Sequence, residues 1–192
     1  MDLQPAVLEN AFVRLEPLAA AHREPLRAAC AADTEIWALY PYSMAGEHFD
    51  PRWTQLMADA GRGTTISYAV LVGGEVVGMT SFLGLDPVNA ALEIGGTYYR
   101  PDARGGPANP AAKRLLLGHA FKSRARRVQF KVDALNARSR AAVLKLGAVQ
   151  EGILRQDRIT WTGRVRDTVY FSVLAAEWPD VRDGLDGRLA RL

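Results

Sequence analysis

The alternation of hydrophobic and polar positions along the chain predicts strands and helices in a mixed order. Strict alternation predicts a strand with one buried face, whereas a repeat near 3.6 residues predicts an amphipathic helix. Gly73 and Gly74 separate two alternating segments and predict a tight hairpin turn. Predicted strands cover 12–18, 66–72, 75–82, 91–99, 128–133, 149–160 and 166–174, and predicted helices cover 20–32, 110–121, 136–148 and 177–192.

Residues 33–63 follow neither period. Their aromatic residues, prolines and glycine, as in "YPYSMAGEHFDPRW", predict irregular structure around one helical turn. No internal repeat, low-complexity tract or linker interrupts the sequence. The order of elements therefore predicts a single domain over residues 1–192, of the α/β class with a mixed sheet.

Capping residues mark the ends of two predicted helices. Asn109 is predicted to be the N-cap of the helix that follows it, with Pro110 at the first helical position. Asn136 is predicted to cap the next helix, and Gly147 is predicted to end it.

The composition is that of an ordinary globular protein, with 192 residues, 48% of them hydrophobic and 23% charged. The single cysteine, Cys30, excludes an intramolecular disulfide, and the three histidines lie far apart, so we predict no metal site. The sequence has neither an apolar run of membrane-spanning length nor a signal-peptide pattern at its N-terminus. These features favour a cytoplasmic protein that is not bound to a membrane.

Charge is divided unequally along the chain. Residues 1–99 contain 5 Lys/Arg and 12 Asp/Glu, whereas residues 100–192 contain 19 and 9. A basic half can attract a polyanion, and an acidic half can attract a cationic acceptor. A surface of solvated arginines is the simpler alternative, but it does not explain why the sign changes at one loop.

That loop, "RPDARGGPANP" at 100–110, connects a predicted strand to a predicted helix. Free backbone N–H groups at the positive end of a helix dipole form an anion site. Gly105 and Gly106 allow the backbone to approach a ligand closely, and Arg104 adds forked donors that suit phosphate. A tight strand-to-helix connection is the alternative interpretation.

Known nucleotide motifs are absent, because the loop fits neither GxxxxGK[ST] nor GxGxxG. The helix at 136–148 carries Arg138 and Arg140 in its first turn, where the helix dipole disfavours cations. Solvent exposure could explain these arginines, but a nearby anion would also explain them. Two helix starts decorated with arginine favour an extended ligand with several phosphates, such as coenzyme A.

Three segments resemble the GCN5-related N-acetyltransferases (GNAT). The stretch "LEIGGTYYRPDARGGPANPAAKRLLLGHAF" is similar to their acetyl-CoA motif, and "VQFKVDALNARSRAAVLKLGAVQEGILR" is similar to the motif that follows it. The stretch "GRVRDTVYFSVLAAEWPDVR" is similar to the C-terminal hairpin and tail of the bacterial RimJ/RimL branch, which acetylates ribosomal-protein N-termini. The resemblance runs from Val13 to the C-terminus and is strongest over 92–179.

This resemblance implies the GNAT fold, a mixed and mostly antiparallel sheet flanked by helices. Its central strands, here 91–99 and 128–133, would splay apart, and acetyl-CoA would lie in the gap as the cosubstrate. The residues implied to contact the coenzyme are Tyr98, Tyr99 and Arg100 at the pantetheine arm, Arg104, Gly105, Gly106, Ala108 and Asn109 at the pyrophosphate, and Asn136 at the next helix. The helix-dipole argument adds Arg140 as a candidate for coenzyme binding.

Two positions depart from the family pattern. The usual loop is Q/R-x-x-G-x-G/A, whereas here Pro107 removes one backbone donor. Many relatives carry a tyrosine that protonates the departing thiolate, and here that position is Val143. A tyrosine acid is therefore excluded at this point of the chain.

The implied reaction is direct transfer of an acetyl group from a thioester to a primary amine. Glu93 is the candidate base, because an amine must lose a proton to attack; a carboxylate with a structural partner is the alternative. Ser139 corresponds to a serine near the sulfur in the RimL branch, although a serine at this helical position also suits a backbone cap. Cys30 and His119 are predicted to pack rather than react.

Aromatic residues of the irregular segment are candidates for the acceptor pocket or for ordinary packing: Trp37, Tyr40, Tyr42 and Trp53. The favoured function is an acyl-CoA-dependent N-acyltransferase acting on a protein N-terminus or a small amine, with succinyl-CoA as an alternative donor. A non-catalytic acyl-CoA sensor would also fit Val143. A nucleic-acid-binding module is least favoured, because no such motif accompanies the basic half. A homodimer is left open.

Overall fold

The computed structural model describes residues 1–192 as eight strands and five α-helices joined by turns. In chain order these are β1 (Leu8–Glu9), β2 (Arg14–Pro17), α1 (Arg23–Ala31), α2 (Phe49–Gly61), β3 (Thr65–Val72), β4 (Glu75–Asp86), β5 (Ala91–Tyr99), α3 (Ala108–Lys122), β6 (Arg127–Asp133), α4 (Ala137–Leu146), β7 (Val149–Ile159), β8 (Val165–Leu174) and α5 (Trp178–Leu189). None of these helices has the length and apolar character needed to span a bilayer.

All eight strands belong to one sheet, in the order β1-β2-β3-β4-β5-β6-β8-β7. Every neighbouring pair is antiparallel except β5 and β6, which are parallel. The hairpin between β3 and β4 turns at Gly73 and Gly74, whose φ angles of 57° and 85° suit a glycine pair. The predicted α/β class and mixed, mostly antiparallel sheet are confirmed.

The sheet parts in its middle. β5 pairs with β6 only from Ala91 to Glu93, whereas β6 pairs with β8 along its whole length. Beyond Glu93, β5 stays with β4 and carries a bulge at Gly96, whose φ of 57° favours glycine. The second half of β5 therefore has one edge without a strand partner, and the predicted splay is observed.

The two faces of the sheet carry different cores. The face covered by α3, α4 and α5 contributes a cluster of 29 buried residues, most of them aliphatic. The face covered by α1, α2 and the chain between them contributes 9, of which six are aromatic or methionine. Tyr98 belongs to the second cluster and Tyr99 to the first, as the alternation of a strand requires.

Two local predictions were wrong. The segment 33–63 contains α2, a helix of 13 residues, because Pro51 lies in its first turn, where a missing N–H costs little. Asn109 is not an N-cap: α3 begins at Ala108 with Pro107 as the cap, and Ala111 N donates to the Pro107 carbonyl at 2.9 Å. Asn136 does cap α4, as predicted.

Candidate active site

A cleft of about 680 Å³ opens where β5 and β6 part. Its walls are the unpaired half of β5, the end of β6, the first turns of α3 and α4, and the segment 36–42. Since β5 has no strand partner on this edge, its polar backbone groups are available to other partners. The carbonyls of Thr97 and Tyr99 accept side-chain hydrogen bonds from Tyr40 and Arg104 here.

The loop between β5 and α3 presents bare backbone to the cleft. Gly105 has a φ of 81°, and an added Cβ at Gly105 or Gly106 would meet no atom within 4 Å. The prolines at 107 and 110 have no N–H, so Ala108 and Asn109 provide the free donors of the first turn of α3. This is a helix start with an open approach, which suits an anion.

Arg104 lies beside this loop and is held from two sides. Its Nε donates to the Tyr99 carbonyl at 2.7 Å, and its Nη1 donates to Asp33. The hydrogen bond from Arg104 lowers the pKa of Asp33 below its ordinary value. The remaining nitrogen, Nη2, is buried without a partner. Arg104 therefore keeps one donor for a ligand.

The first turn of α4 forms the other side of the gap. The side chain of Asn136 accepts a hydrogen bond from Ser139 N at 2.9 Å, so Asn136 caps the helix as predicted. Asn136, Arg138 and Ser139 all line the cleft. Gly147 ends the helix with a φ of 103°, which matches the prediction from the sequence.

The cleft brings together most of the predicted site residues and leaves three outside it. Arg100 pairs with Glu75 and Asp102, and Arg140 donates to the Ala134 carbonyl at 3.2 Å. Ala108 is buried and does not line the cleft. The predicted residues that line the cleft are Glu93, Tyr98, Tyr99, Arg104, Gly105, Gly106, Asn109, Asn136 and Ser139.

Glu93 lies at the point where the strands separate. Its carboxylate pairs with Lys131 of β6 at 3.0 Å, and its side chain is 14% exposed. Lys131 also lies over the ring of Tyr170, 5.4 Å from its centroid. Glu93 thus has a structural partner, which was the alternative interpretation of this carboxylate. It also borders the cleft, as a catalytic base would.

Lys113 of α3 is a functional candidate that the sequence analysis missed. Its side chain is buried, and Nζ donates to Thr97 Oγ1 at 2.7 Å. Burial lowers the pKa of Lys113 to about 7. The spacing of apolar residues could have indicated that Lys113 is buried. Lys113 precedes the buried Leu116 and Leu117 by three and four residues, so it lies on the same face of the helix.

Aromatic side chains build the wall opposite the glycine loop. The hydroxyl of Tyr40 donates to the Thr97 carbonyl at 2.5 Å, and burial raises the pKa of Tyr40 above its ordinary value. Trp37 stacks on Tyr98 with ring centroids 4.7 Å apart. The turn between β7 and β8 closes over this wall, because Trp161 Nε1 donates to the Trp37 carbonyl at 2.8 Å. Trp37 and Trp53 are core residues of this face, whereas Tyr40 and Tyr42 line the cleft.

The cleft is basic. Eight of its lining residues are Lys or Arg and two are acidic, which suits a ligand with several negative charges. Glu93 pairs with Lys131, and Asp133 pairs with Arg164 and Arg166. Among the acidic residues of the first half of the chain, only Glu93 lines the cleft.

Two other sequence predictions concern side chains in or near the cleft. Val143 lines it and is 8% exposed, so an apolar side chain stands where a tyrosine acid would be. Cys30 is fully buried outside the cleft, and burial raises its pKa to about 12, so its thiol remains protonated and unreactive near neutral pH.

A mixed sheet that splays beside an open helix start is typical of acyl-CoA-dependent acetyltransferases. Comparison with known families agrees, because the acetyltransferase (GNAT) domain matches residues 13–149. The chain belongs to the GNAT acetyltransferase family.

Known relatives support the same branch that the sequence indicated. YdaF of Bacillus subtilis (strain 168), whose name assigns it provisionally as a ribosomal N-acetyltransferase, is 33% identical over 67% of this chain and 68% of its own length. A crystal structure from T. thermophilus, described provisionally as an acetyltransferase, has a TM-score of 0.89 and 40% identity over 98% of this chain and 100% of that chain.

A more distant structure shares the fold. RimJ of Mycobacterium smegmatis in complex with CoA-disulfide has a TM-score of 0.82 and 21% identity, with 96% of this chain and 95% of that chain covered.

Proposed function

We propose that this protein transfers an acetyl group from acetyl-CoA to a primary amine by direct attack of the amine on the thioester. The observation that carries the proposal is the gap beyond Glu93, which opens between β5 and β6 in front of two helix starts. The structure described as RimJ with CoA-disulfide supports coenzyme A as the ligand of this fold.

The residues present fit such a ligand. Gly105 and Gly106 leave open space for a diphosphate, and Ala108 and Asn109 supply free N–H groups. Arg104 adds a buried donor without a partner, and Arg138 adds charge at the start of α4. The unpaired edge of β5 near Tyr98 and Tyr99 would hold the pantetheine arm as an added strand would.

When bound, acetyl-CoA supplies the thioester and its acetyl group. Glu93 accepts a proton from the acceptor ammonium, directly or through a water molecule, which leaves the amine nucleophilic. Lys131 holds the Glu93 carboxylate at the mouth of the gap. A backbone N–H on the free edge of β5 stabilises the negative charge that develops on the carbonyl oxygen. Ser139, on the opposite wall, donates a hydrogen bond to the leaving sulfur.

The acceptor side of the cleft lies between Tyr40, Tyr42 and the β7–β8 turn. The name given to YdaF supports a ribosomal-protein N-terminus as the acceptor, in the cytoplasm. A small amine would use the same wall. A second candidate function is an acyl-CoA sensor that does not turn over its ligand. Val143 favours it, because the tyrosine that protonates the thiolate in many relatives is replaced here by valine.

Mass spectrometry of the reaction products separates these functions. The protein is incubated with acetyl-CoA or succinyl-CoA and with ribosomal N-terminal peptides or small amines. We expect an acetylated amine and an equal amount of free CoA thiol. Calorimetric binding of acetyl-CoA without turnover on any amine would support the sensor. RNA binding that weakens with salt and is not displaced by CoA, in the absence of CoA binding, would contradict the proposal.

A further inference from the structure

The acceptor wall is the part of the cleft lined by Arg52 and residues of the segment 36–42. Arg52 is a cation in this wall, and the proposed reaction does not use it. It lies in the first turn of α2, where the helix dipole disfavours positive charge. Its guanidinium covers the ring of Tyr42, with Cζ 3.9 Å from the centroid, and both residues line the cleft. The stack fixes the guanidinium plane without neutralising its charge.

No acidic side chain of the protein neutralises Arg52. The carboxylate nearest in sequence, Asp50, is bound by Arg23 and Arg27 of α1. The Nε of Arg52 is buried and has no hydrogen-bond partner. The residue as a whole is only half-buried, so the guanidinium stands at the cleft with no acidic partner and can bind one from outside.

Arg52 is also close to the reacting end of the cleft. The hydroxyl of Tyr42 lies 3.0 Å from the place where a Cβ on Gly96 would be, and Glu93 Oε1 lies 2.6 Å from the corresponding place on Gly95. Arg52, Tyr42, the bulge of β5 and Glu93 therefore form one continuous wall. A molecule with its amine at Glu93 could extend along this wall toward the guanidinium.

We infer that Arg52 binds a carboxylate of the acceptor, so that the acceptor is an amine with a carboxylate close to its amino group. This inference rests on the proposed function and names the substrate class for the same site. The carboxylate can belong to a free amino acid or to an acidic side chain in the first residues of a peptide. In both, a planar carboxylate would receive two parallel hydrogen bonds from the guanidinium.

The inference reverses the expectation that the acidic half of the chain recruits a cationic acceptor. Glu93 is the only acid from that half in the cleft, and it is paired with Lys131. Seven of the other eleven acids of that half form ion pairs with arginines, such as Glu75 with Arg100, and none of the eleven lines the cleft. The free charge on the acceptor wall is positive.

The test compares matched amines that differ only in a carboxylate. One pair is methionine and methioninamide, and the other is the peptides Ser-Asp-Ala-amide and Ser-Asn-Ala-amide. The readout is the ratio of kcat/KM for the carboxylate and the amide of each pair, in the wild type, Arg52→Met and Arg52→Lys. We expect Arg52→Met to lower this ratio about tenfold or more in at least one pair, and Arg52→Lys to lower it less.

The ratio separates binding from structural damage, because a disturbed α2 would slow both members of a pair equally. Arg62→Met, at the other end of α2 and paired only with Asp59, is the control and should leave the ratio unchanged. The pair that responds identifies the source of the carboxylate. A ratio that is equal in the wild type and Arg52→Met overturns the inference. Absence of CoA release with every amine would contradict the proposed function itself, and the inference with it.

Discussion

The cleft has two walls that are built in different ways. The proposed cofactor wall, at residues 104–109 and 136–139, consists of backbone, glycine and polar side chains that are neighbours in sequence, and most of these residues line the cleft. The proposed acceptor wall is lined by Arg52 and residues of the segment 36–42, and its rings of Tyr40 and Tyr42 pack against Trp37 behind them. Hydrogen bonds around this wall join residues far apart in sequence. Trp161 Nε1, for example, donates to the carbonyl of Trp37, which lies 124 residues earlier.

This difference explains how one fold can keep a cofactor and change its acceptor. A diphosphate is bound by N–H groups at a helix start, and those groups depend on local conformation alone. An acceptor pocket depends on which side chains meet across the fold, and a few substitutions can reshape it. We therefore expect mutations in one wall to leave the properties of the other wall unchanged.

Removal of the core ring that packs behind the acceptor wall should have the largest effect. Trp37 is fully buried and stacks on Tyr98, and its Nε1 donates to the Cys30 carbonyl at 3.1 Å. We expect Trp37→Ala to lower the free energy of unfolding by about 3–5 kcal/mol, measured by urea denaturation.

Leu116→Ala in the opposite core is the matched variant, with an expected loss of about 2–5 kcal/mol. Acetyl-CoA affinity of Trp37→Ala, measured where the protein is folded, should stay near the wild-type value. A stability loss under about 1 kcal/mol would contradict the assignment of Trp37 as a core residue behind this wall.

A charge on the cofactor wall should abolish coenzyme binding without loss of the fold. Gly106 has open space before it, so Gly106→Glu fits the backbone and places a carboxylate where the diphosphate would lie. We expect acetyl-CoA to bind at least about 100-fold more weakly in calorimetry, which corresponds to ~2.7 kcal/mol. Gly61→Glu, on α2 with equal room for a side chain, is the control. Near-wild-type affinity in Gly106→Glu would show that the loop does not hold the coenzyme.

Mutation of Glu93 should change the rate of acetyl transfer without changing coenzyme binding. Glu93→Gln should lower kcat by about 100-fold, since a positioned base contributes at least this much, and should leave acetyl-CoA affinity unchanged. Lys131→Met removes the partner of the ion pair and is the matched variant. An equal loss in both variants at every pH would assign Glu93 a structural role instead.

Mutation of Lys113 should have the smallest effect, a change in the pH dependence of the free energy of unfolding. Burial lowers its pKa to about 7 from an ordinary value of 10.5, so between these values the unfolded chain binds a proton that the folded chain lacks. The free energy of unfolding therefore gains from this group as pH rises through that window, by at most about 1.4 kcal/mol per pH unit.

Lys113→Met removes this dependence. Urea denaturation at about pH 7 and about pH 9 should show the wild type gaining stability relative to Lys113→Met. A stability difference that does not change with pH would indicate that Lys113 titrates in the folded protein as it does in solvent.

Local signals were enough for several turns and helix ends. The glycines at 73 and 74, the Asn136 cap and the end of α4 at Gly147 depend on neighbouring residues, and the structure has them as predicted. The N-cap at Asn109 was predicted wrongly because Pro107 could start the helix two residues earlier. The helix α2 was missed because Pro51 suggests a break in regular structure, although the buried residues Phe49, Trp53 and Leu56 recur at helical spacing.

The sequence by itself determined the alternation of strands and helices, the glycine loop before α3 and the family, because each depends on residues close together in the chain. Only the tertiary structure decided that β5 and β6 part beyond Glu93, that Lys113 and Thr97 meet, and that Arg52 lacks an acidic partner. These facts depend on packing between segments far apart in sequence, and local periodicity carries no information about which distant side chains will be neighbours.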